Sequence, residues 1–500
     1  MRAEDSIRDT RLRKLEEMRA EGEALYPNRF RRSATAEALR ERYQGASSGE
    51  LEGAEERFAL AGRVMSIRDF GKSCFLHIQD ESGRLQVYLR TNVVGEEAYE
   101  RFKRWADIGD WIGVEGRLFI TRTGELTLLA ERTEILAKSL RPLPEKFHGL
   151  RDIEVRYRRR YQDLIANPSV RATFRMRAEI IRRVRRFFDD RGFLEVETPM
   201  MHPIAGGAAA RPFETFHNAL DQPLYLRIAP ELYLKRLLVG GFARVYELNK
   251  NFRNEGLSTR HNPEFTMIEF YEACADYEDF MSLTEELVCG LLDDLTGTRR
   301  ITYQGVDLDF TRPWRRITLE RSLVDFAGVS EGEIGDPTAL KSACERAGVE
   351  RPDAMSHGEL LAELFERTVE EKLVQPTFIV RYPVEVSPLA RLREGCSDRV
   401  DRFELFVAGR ELANGFSELN DPMEQRRRLL AQAEKRRRGD ETAQQMDEDF
   451  LEALEFGMPP AAGEGIGMDR LVMLFTDSAS IRDVILFPQM RPEKGGSPDE

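Results

Sequence analysis

Three stretches of the chain hold residues whose types and spacing could do chemistry. The densest is Phe252-Arg253-Asn254-Glu255-Gly256 with Arg260-His261-Asn262-Pro263-Glu264-Phe265, which gathers two arginines, a histidine and two acids. Loop arginines and a histidine suit the oxygens of a polyphosphate, and an aromatic beside them suits a nucleobase. No ordinary hairpin needs that much charge. The second stretch, Phe403-Glu404-Leu405-Phe406 and Arg410–Glu418, offers Glu404 and Glu411 as oxygen ligands of the type Mg²⁺ takes when it bridges carboxylates to substrate phosphates. The third is Gly463-Glu464-Gly465-Ile466-Gly467-Met468-Asp469-Arg470, running into the apolar Leu471-Val472-Met473-Leu474-Phe475. Its glycines permit close backbone approach, and Arg470 at the start of a buried helix could reach a phosphate. It lacks the flanking strand and acid of a dinucleotide fold, and no GxxxxGK[ST] occurs, which excludes a P-loop.

These side chains need strands to aim them. Alternation places Glu247, Asn249, Asn251 and Arg253 on one face of an incoming strand, with Tyr246, Leu248 and Phe252 opposite. On the outgoing strand Phe265, Met267, Glu269 and Tyr271 lie together, and Thr266, Ile268 and Phe270 face away. An aromatic, a thioether, an acid and a tyrosine on one face suit a pocket floor; the alternative is a partly exposed sheet face. Asn414, Phe416 and Glu418 share a face if their strand is regular, after a hairpin turn at Gly409-Arg410. Upstream, residues 175–190 read as a helix with Ile180, Ile181, Val184, Phe187 and Phe188 on one side, ended by Gly192 and followed by a strand, Phe193–Glu197. Asp336-Pro337 and Asp421-Pro422 read as helix starts, the first inside a helical stretch at 320–375, the second opening a basic helix to Arg438.

The N-terminal part is built differently. Residues 6–21 read as an amphipathic helix whose outer face carries Arg8, Arg11, Arg13, Lys14 and Arg19, either solvated or against RNA. A Gly/Ser/Glu-rich linker at 44–55 precedes short strands at Phe58–Ile67, Cys74–Gln79 and Leu85–Arg90, a helix at Glu96–Ala106, and strands at Trp111–Phe119 and Leu126–Leu129. Three strands, a helix and two strands is the order of an OB-fold barrel, a fold often used for oligonucleotides.

Composition sets outer bounds. A chain of 500 residues with 41% hydrophobic content supports two or three domains. Five scattered cysteines without a CxxC pair point to a reducing compartment and away from disulfides or structural zinc. A charged N-terminus and the lack of long apolar runs predict a cytoplasmic protein without a membrane segment. Net charge is −13, yet Arg151–Arg191 holds thirteen arginines against six acids. That imbalance reads either as a basic surface or as the chain's general preference for arginine over lysine.

Together the motifs resemble the class II lysyl-tRNA synthetases over about nine-tenths of the chain. Family motif 1 resembles the helix ending at Gly192 with Phe193–Pro199, motif 2 resembles Arg244–Tyr271, and motif 3 resembles Gly465–Phe475. Ala229-Pro230-Glu231-Leu232-Tyr233-Leu234-Lys235-Arg236 and Tyr382-Pro383-Val384-Glu385-Val386-Ser387-Pro388-Leu389 are further family-like stretches. The resemblance implies an α+β protein: an N-terminal OB-fold β-barrel for the anticodon, plus a class II catalytic domain with an antiparallel sheet flanked by helices. The expected divisions are an N-terminal helix and linker (1–56), the barrel (57–140), a linker (141–170) and the catalytic domain (171–495).

The resemblance also implies roles. Lysine would be activated by ATP to lysyl-adenylate and passed to the 3′ end of its tRNA, by a homodimer joined through motif 1. Arg253 would hold the α-phosphate, Phe265 and Arg470 would sandwich adenine, with Arg470 also at the γ-phosphate, and Glu255 and His261 would fold over ATP. Glu404 and Glu411 would bind Mg²⁺. Gly207 and Glu231 fall at positions near the lysine amino group, Asn414 near its carboxylate, Glu269, Tyr271 and Glu418 at its ε-ammonium, and Met267 and Phe416 along its stem. Phe75 and Gln86 match positions that stack on and hydrogen-bond the central anticodon uridine; the alternative for Phe75 is barrel core. Glu464 stands where other family members can have an apolar residue and Ala413 where a glycine is also found, and Arg393-Glu394-Gly395-Cys396-Ser397 is unusual before the Glu404 strand. Two other readings remain at this point: a lysine ligase acting on a translation factor, against which the barrel argues, and a non-catalytic RNA-binding paralogue, against which Arg253, Glu404, Glu411 and Arg470 argue.

Overall fold

A computed structural model describes residues 3–52, 55–144 and 150–493. The last residues, from Pro492, read from the sequence as a disordered tail, and beyond Glu493 they lie outside the described residues. The chain divides into two compact units, Met1–Arg151 and Asp152–Glu500. Among the described residues no helix is long and apolar enough to cross a membrane.

The first unit opens with α1 (Ala3–Ala20) and closes a barrel in the order β1-β2-β3-β5-β4, with β1 at Phe58–Asp69, β2 at Ser73–Gln79, β3 at Arg84–Arg90, β4 at Trp111–Ile120 and β5 at Leu126–Ala137. Helix α2 (Glu96–Trp105) lies between the third and fourth strands and buries Tyr99, Phe102 and Trp105. Alternation drives the closure: Cys74, Leu76 and Ile78 on β2 and Leu85, Val87 and Leu89 on β3 point inward and form the core with Val64, Ile112, Val114 and Leu128. β5 runs well past the expected Leu129, because it pairs with β4 as far as Trp111↔Ala137. The outward Arg132 and Glu134 of that extension hid it in the sequence.

Two expectations change here. Arg11 is not on an outer face; its guanidinium donates to the carbonyls of Ser139 (2.5 Å), Arg141 (3.0 Å) and Ile108 (2.9 Å), and Lys14 reaches Asp107 at 2.7 Å. Two of the five residues of the supposed basic face thus tie the helix to the barrel. The linker at 44–55 contains a short helix, Ser48–Glu52, whose neighbour-facing Leu51 is buried in the barrel core.

The second unit centres on an eight-stranded, mostly antiparallel sheet. Short helices fill residues 153–166, ahead of α3 (Pro168–Asp189), which begins one residue after Asn167 with proline in its first turn. The strands that follow are β6 (Leu194–Glu195), β7 (Arg244–Phe252), β8 (Glu264–Ala273), β9 (Arg315–Thr318), β10 (Thr377–Val380), β11 (Arg402–Val407), β12 (Arg410–Ser417) and β13 (Ala461–Gly467). Their order across the sheet is β9-β10-β11-β12-β13-β8-β7-β6. Helices α4 (Glu231–Val239), α5 (Tyr277–Leu295), α6 (Pro422–Arg437) and α7 (Met468–Phe475) complete the parts used below. One face of the sheet is dry: Ile268, Phe270, Phe403, Leu405 and Ile466 pack with Val184 and Phe188 of α3, with α5, and with Leu471 and Val472 of α7. The stretch 320–375 is helical, with Asp336 capping Pro337–Arg346.

The arginine-rich stretch is neither a bare basic surface nor neutral background. Arg156, Arg158, Arg160, Arg177, Arg182, Arg183, Arg185, Arg186 and Arg191 each pair with an acid. Arg160 and Asp163 are both fully buried and 2.7 Å apart. These are intramolecular ties.

Candidate active site

The other face of the same sheet forms the floor of a cavity of about 1040 Å³. Register sets what points into it. One cross-strand row reads Glu247–Glu269–Gly465–Asn414–Glu404, and the next reads Val245–Tyr271–Gly463–Phe416–Arg402. The glycines on β13 are what make the floor deep. A Cβ at Gly465 would come within 2.7 Å of the Met267 methyl, and one at Gly463 would overlap Glu418 Oε1 and the Tyr271 ring. Glu464, between them, points to the dry face, where Thr284 Oγ1 donates to its Oε1 at 2.6 Å and burial raises the carboxyl well above the usual carboxylate range.

A β-bulge decides the aim of Glu411. On β12, Ala413 pairs with Leu405 but Glu411 pairs with Phe406, so Leu412 is an extra residue. Three residues apart on a regular strand, Glu411 and Asn414 would face opposite sides. The extra residue brings both to the pocket face. No turn or composition signal announces it.

Gly207, Glu231, Arg253, Glu255, His261, Phe265, Met267, Glu269, Tyr271, Glu411, Asn414, Phe416 and Arg470 all line the cavity. The Arg253 guanidinium sits 5.0 Å from the Phe265 ring centroid, its Nε has no hydrogen-bond partner, and burial lowers its pKa. Arg470 Nη1 donates to the Glu411 carbonyl and lies 3.3 Å from Glu411 Oε2. His261 is lowered by partial burial and by the nearby Arg470. The loop between β7 and β8 is closed by Arg253 N–H on the Pro263 carbonyl (2.9 Å) and by Ser258 Oγ, which accepts from the backbone N–H groups of Arg260 (3.1 Å) and His261 (3.0 Å).

The far end of the cavity is acidic. Glu231, Glu269 and Glu418 are all buried, and Tyr271 OH donates to Glu269 Oε2 at 3.2 Å. Burial, reinforced by the charge of Glu231, pushes Glu269 up to about 8. Burial raises Glu418 as well, while the adjacent Lys235 pulls it back. Glu418 lies below the floor beside Gly463 rather than on the open wall. An ammonium group entering here would favour the ionised form of these carboxyls, the opposite of what burial does, and that pairing is the physical requirement for reading one.

Of the two expected Mg²⁺ ligands, Glu411 lines the cavity and Glu404 is set back from it. Tyr382 OH donates to it at 2.8 Å and Arg402 Nη2 at 2.5 Å. Burial and then the charge of Glu411 act on it in the upward direction, against the pull of Arg402. Glu366 and Glu370 add to the same acidic zone: burial, then Glu363 and Glu404, pushes Glu366 up to about 7. This excess of carboxylate fits a divalent cation, and two acids match the share of protein ligands that Mg²⁺ takes beside phosphates. Among the described residues no three acidic, histidine or cysteine side chains form a metal cage by themselves.

In the barrel, Phe75 points outward and lies outside the core, stacked on Tyr88 at 4.2 Å and 14°. The ring of Phe70, 66% exposed, meets its edge at 6.2 Å. Gln86 is held at both ends, donating to Glu125 Oε2 (2.8 Å) and accepting from Thr127 Oγ1 (2.8 Å), and His77 Nε2 reaches Glu125 Oε1 at 3.0 Å. Phe75, His77, Gln86 and Tyr88 pair across β2 and β3, so one outer face collects rings and amide together.

The family described as tRNA synthetases class II (D, K and N) matches residues 152–491, and an OB-fold nucleic acid binding domain matches residues 58–136. The chain is 55% identical over 482 residues to a lysine–tRNA ligase of Carboxydothermus hydrogenoformans, covering 96% of this chain and 97% of the relative. It is 53% identical over 489 residues to that of Legionella pneumophila, covering 98% of both. The chain belongs to the class II lysyl-tRNA synthetases. In this synthetase several positioning residues escaped the sequence reading. Asp469 Oδ2 accepts from Thr266 N–H at 2.7 Å, while Oδ1 meets Arg177 Nη1 at 2.5 Å. Arg177 also donates to Thr266 Oγ1 (2.9 Å), so α3 locks the helix of Arg470 to the strand of Phe265. An acid in the first turn of an otherwise apolar buried helix was the available signal. Arg402, which donates to Asn414 Oδ1 at 3.1 Å, had no sequence signal beyond its charge.

Proposed function

We propose that the cavity binds ATP and lysine and joins them as lysyl-adenylate. The lysine carboxylate oxygen attacks the α-phosphorus, the bond to the β-phosphate oxygen breaks, and pyrophosphate leaves. Arg253 neutralises charge that grows on the α-phosphate in that step, as electrostatic stabilisation without a protein nucleophile. Phe265 stacks on adenine with Arg470 on its other side, Arg470 meets the γ-phosphate, and Glu255 and His261 close the loop over the nucleotide. Glu404 and Glu411 hold Mg²⁺, which when bound neutralises phosphate charge. A 3′-terminal ribose hydroxyl of the tRNA then attacks the adenylate carbonyl, and AMP leaves.

The observation that carries the reading is the buried acidic end of the cavity. Glu269, Tyr271 and Glu418 receive the ε-ammonium, Met267 and Phe416 line the stem, Glu231 and Gly207 take the α-ammonium, and Asn414 takes the carboxylate. Aspartate would bring a carboxylate against Glu269 and Glu418, leaving like charges buried together. Phe75 and Gln86 serve the central anticodon uridine. The barrel's outward rings favour a tRNA acceptor over a translation factor.

A second copy of the chain completes a homodimer through the motif 1 segment. Leu194 of that segment, on the edge strand β6, is about half exposed, as are Met200 and Met201 just beyond the segment. A cytoplasmic location suits the five free cysteines. Charging of purified tRNA with lysine tests the whole reaction. Formation of lysyl-tRNA is expected; lysine transfer to protein with no tRNA charging would refute the acceptor assignment.

A further inference from the structure

The acidic end of the cavity holds a cation that the mechanism above leaves unused. Lys235 is fully buried, one helical turn beyond Glu231 on the same face of α4. Its ammonium donates to Glu231 Oε1 at 2.6 Å and lies 2.5 Å from Glu418 Oε2. The Phe416 and Phe450 ring centroids stand 5.3 and 6.0 Å away. Both bridged carboxylates keep a second oxygen, and Glu418 Oε1 is buried without a donor directly under the floor at Gly463.

Count the charges in that space. With all three ionised, Glu231, Glu269 and Glu418 carry three negative charges against the one positive charge of Lys235, which leaves two; in the free protein burial raises all three, Glu269 and Glu418 to about 8. The substrate carries two ammonium groups. We propose that Lys235 is a specificity-determining positioning residue: it bridges Glu231 and Glu418, offsets the cost of their negative charge, and leaves one oxygen of each for an ammonium group of lysine. The inference rests on the lysine-activation reading.

Three carboxylates cannot all stay ionised in a dry space without a counter-ion. Without Lys235, Glu231 and Glu418 lose the cation that lowers both, and the substrate must displace their protons at greater cost. Other groups bear on the same carboxylates. Arg402 from β11 acts on Glu231; Arg253, Glu247 and the Tyr271 hydroxyl act on Glu269. Lys235 is the cation in direct contact with two of the three acids.

The test uses the full-length chain with K235M, close in volume and neutral, in lysine-dependent ATP–pyrophosphate exchange from pH 6 to 9. Expected is a lysine KM raised about tenfold or more at pH 7, with the ATP KM within about twofold. The acidic limb of kcat/KM for lysine should move up by about one pH unit, so that raising the pH rescues the variant. A defect of equal size at every pH, or one shared equally by both KM values, would show a packing role and overturn the proposal. Should K235M fail to fold, K235M/E418Q removes one buried charge of each sign. An acidic limb back near the wild-type position is expected of it, and a limb still displaced by about a unit also overturns the proposal. Wild-type protein without lysine-dependent exchange would instead refute the activation reading itself.

Discussion

The catalytic sheet and the barrel both use the face that the core leaves free, but they use it in opposite ways. On the catalytic sheet the free face is buried again, under α4 and the loop between β7 and β8, and it is charged. Glu231, Lys235, Glu269 and Glu418 are each less than a tenth exposed. On the barrel the free face stays open, and its contacts are rings, with Phe70 66% exposed. Its polar groups are already paired, as Gln86 is with Glu125 and Thr127. The difference concerns dielectric. In the cavity each charge acts strongly and each loss leaves a partner stranded. On the barrel a base adds contact area to a surface that is complete without it, and contributions stay modest and separable.

The sharpest way to break this contrast is at Arg253. R253A should lower pyrophosphate exchange by about 10³-fold, the scale of a lost transition-state donor in a water-poor site, while circular dichroism shows an intact fold. Near-normal exchange would mean the loop arginine does not meet the α-phosphate. The barrel should give a smaller and more selective loss. F75A removes a stacking face of about 1–3 kcal/mol, so kcat/KM for tRNA charging should fall about 5- to 150-fold with exchange unchanged. Equal losses in both steps would erase the division between the two faces.

The smallest expected effect is a pH dependence. Glu269, held at about 8, carries its proton in the free protein below that pH and must lose it to pair with an ammonium group. Lysine binding should therefore tighten as pH rises towards 8, by about tenfold per unit at most. The linkage has the opposite sign for the unliganded fold, whose raised carboxyl pKa makes it less stable as pH rises through the same window. Thermal melts should show lysine stabilising the protein more at pH 8 than at pH 6; a larger shift at pH 6 would contradict a protonated Glu269.

Alternation alone placed Phe265, Met267, Glu269 and Tyr271 on one face, and the pairing with Asn251, Asn249, Glu247 and Val245 bears that out. Short-range period survives in any regular strand, so this part was legible. Glu411 was not, because its orientation depends on an extra residue at Leu412 that only the pairing with β11 reveals. Arg11 misled for a related reason: helical period says which residues share a face, but not which face finds a partner. Glu464 was noticed as a departure, and its place on the dry side beside Thr284 explains why it takes no part in the cavity. Lys235 stood in plain view within Glu231-Leu232-Tyr233-Leu234-Lys235, at the spacing of a helical ion pair. Its second partner, Glu418, comes from a distant strand end, and no local pattern could supply it.

The central claim is that buried carboxylates read the far ammonium of the substrate. Exchange driven by lysine against norleucine, which keeps the stem and lacks that ammonium, tests it most directly. A site whose buried polar groups are left unpaired should discriminate by about 10⁴-fold in kcat/KM. Norleucine within about tenfold of lysine, the range of a merely hydrophobic pocket, would contradict the account.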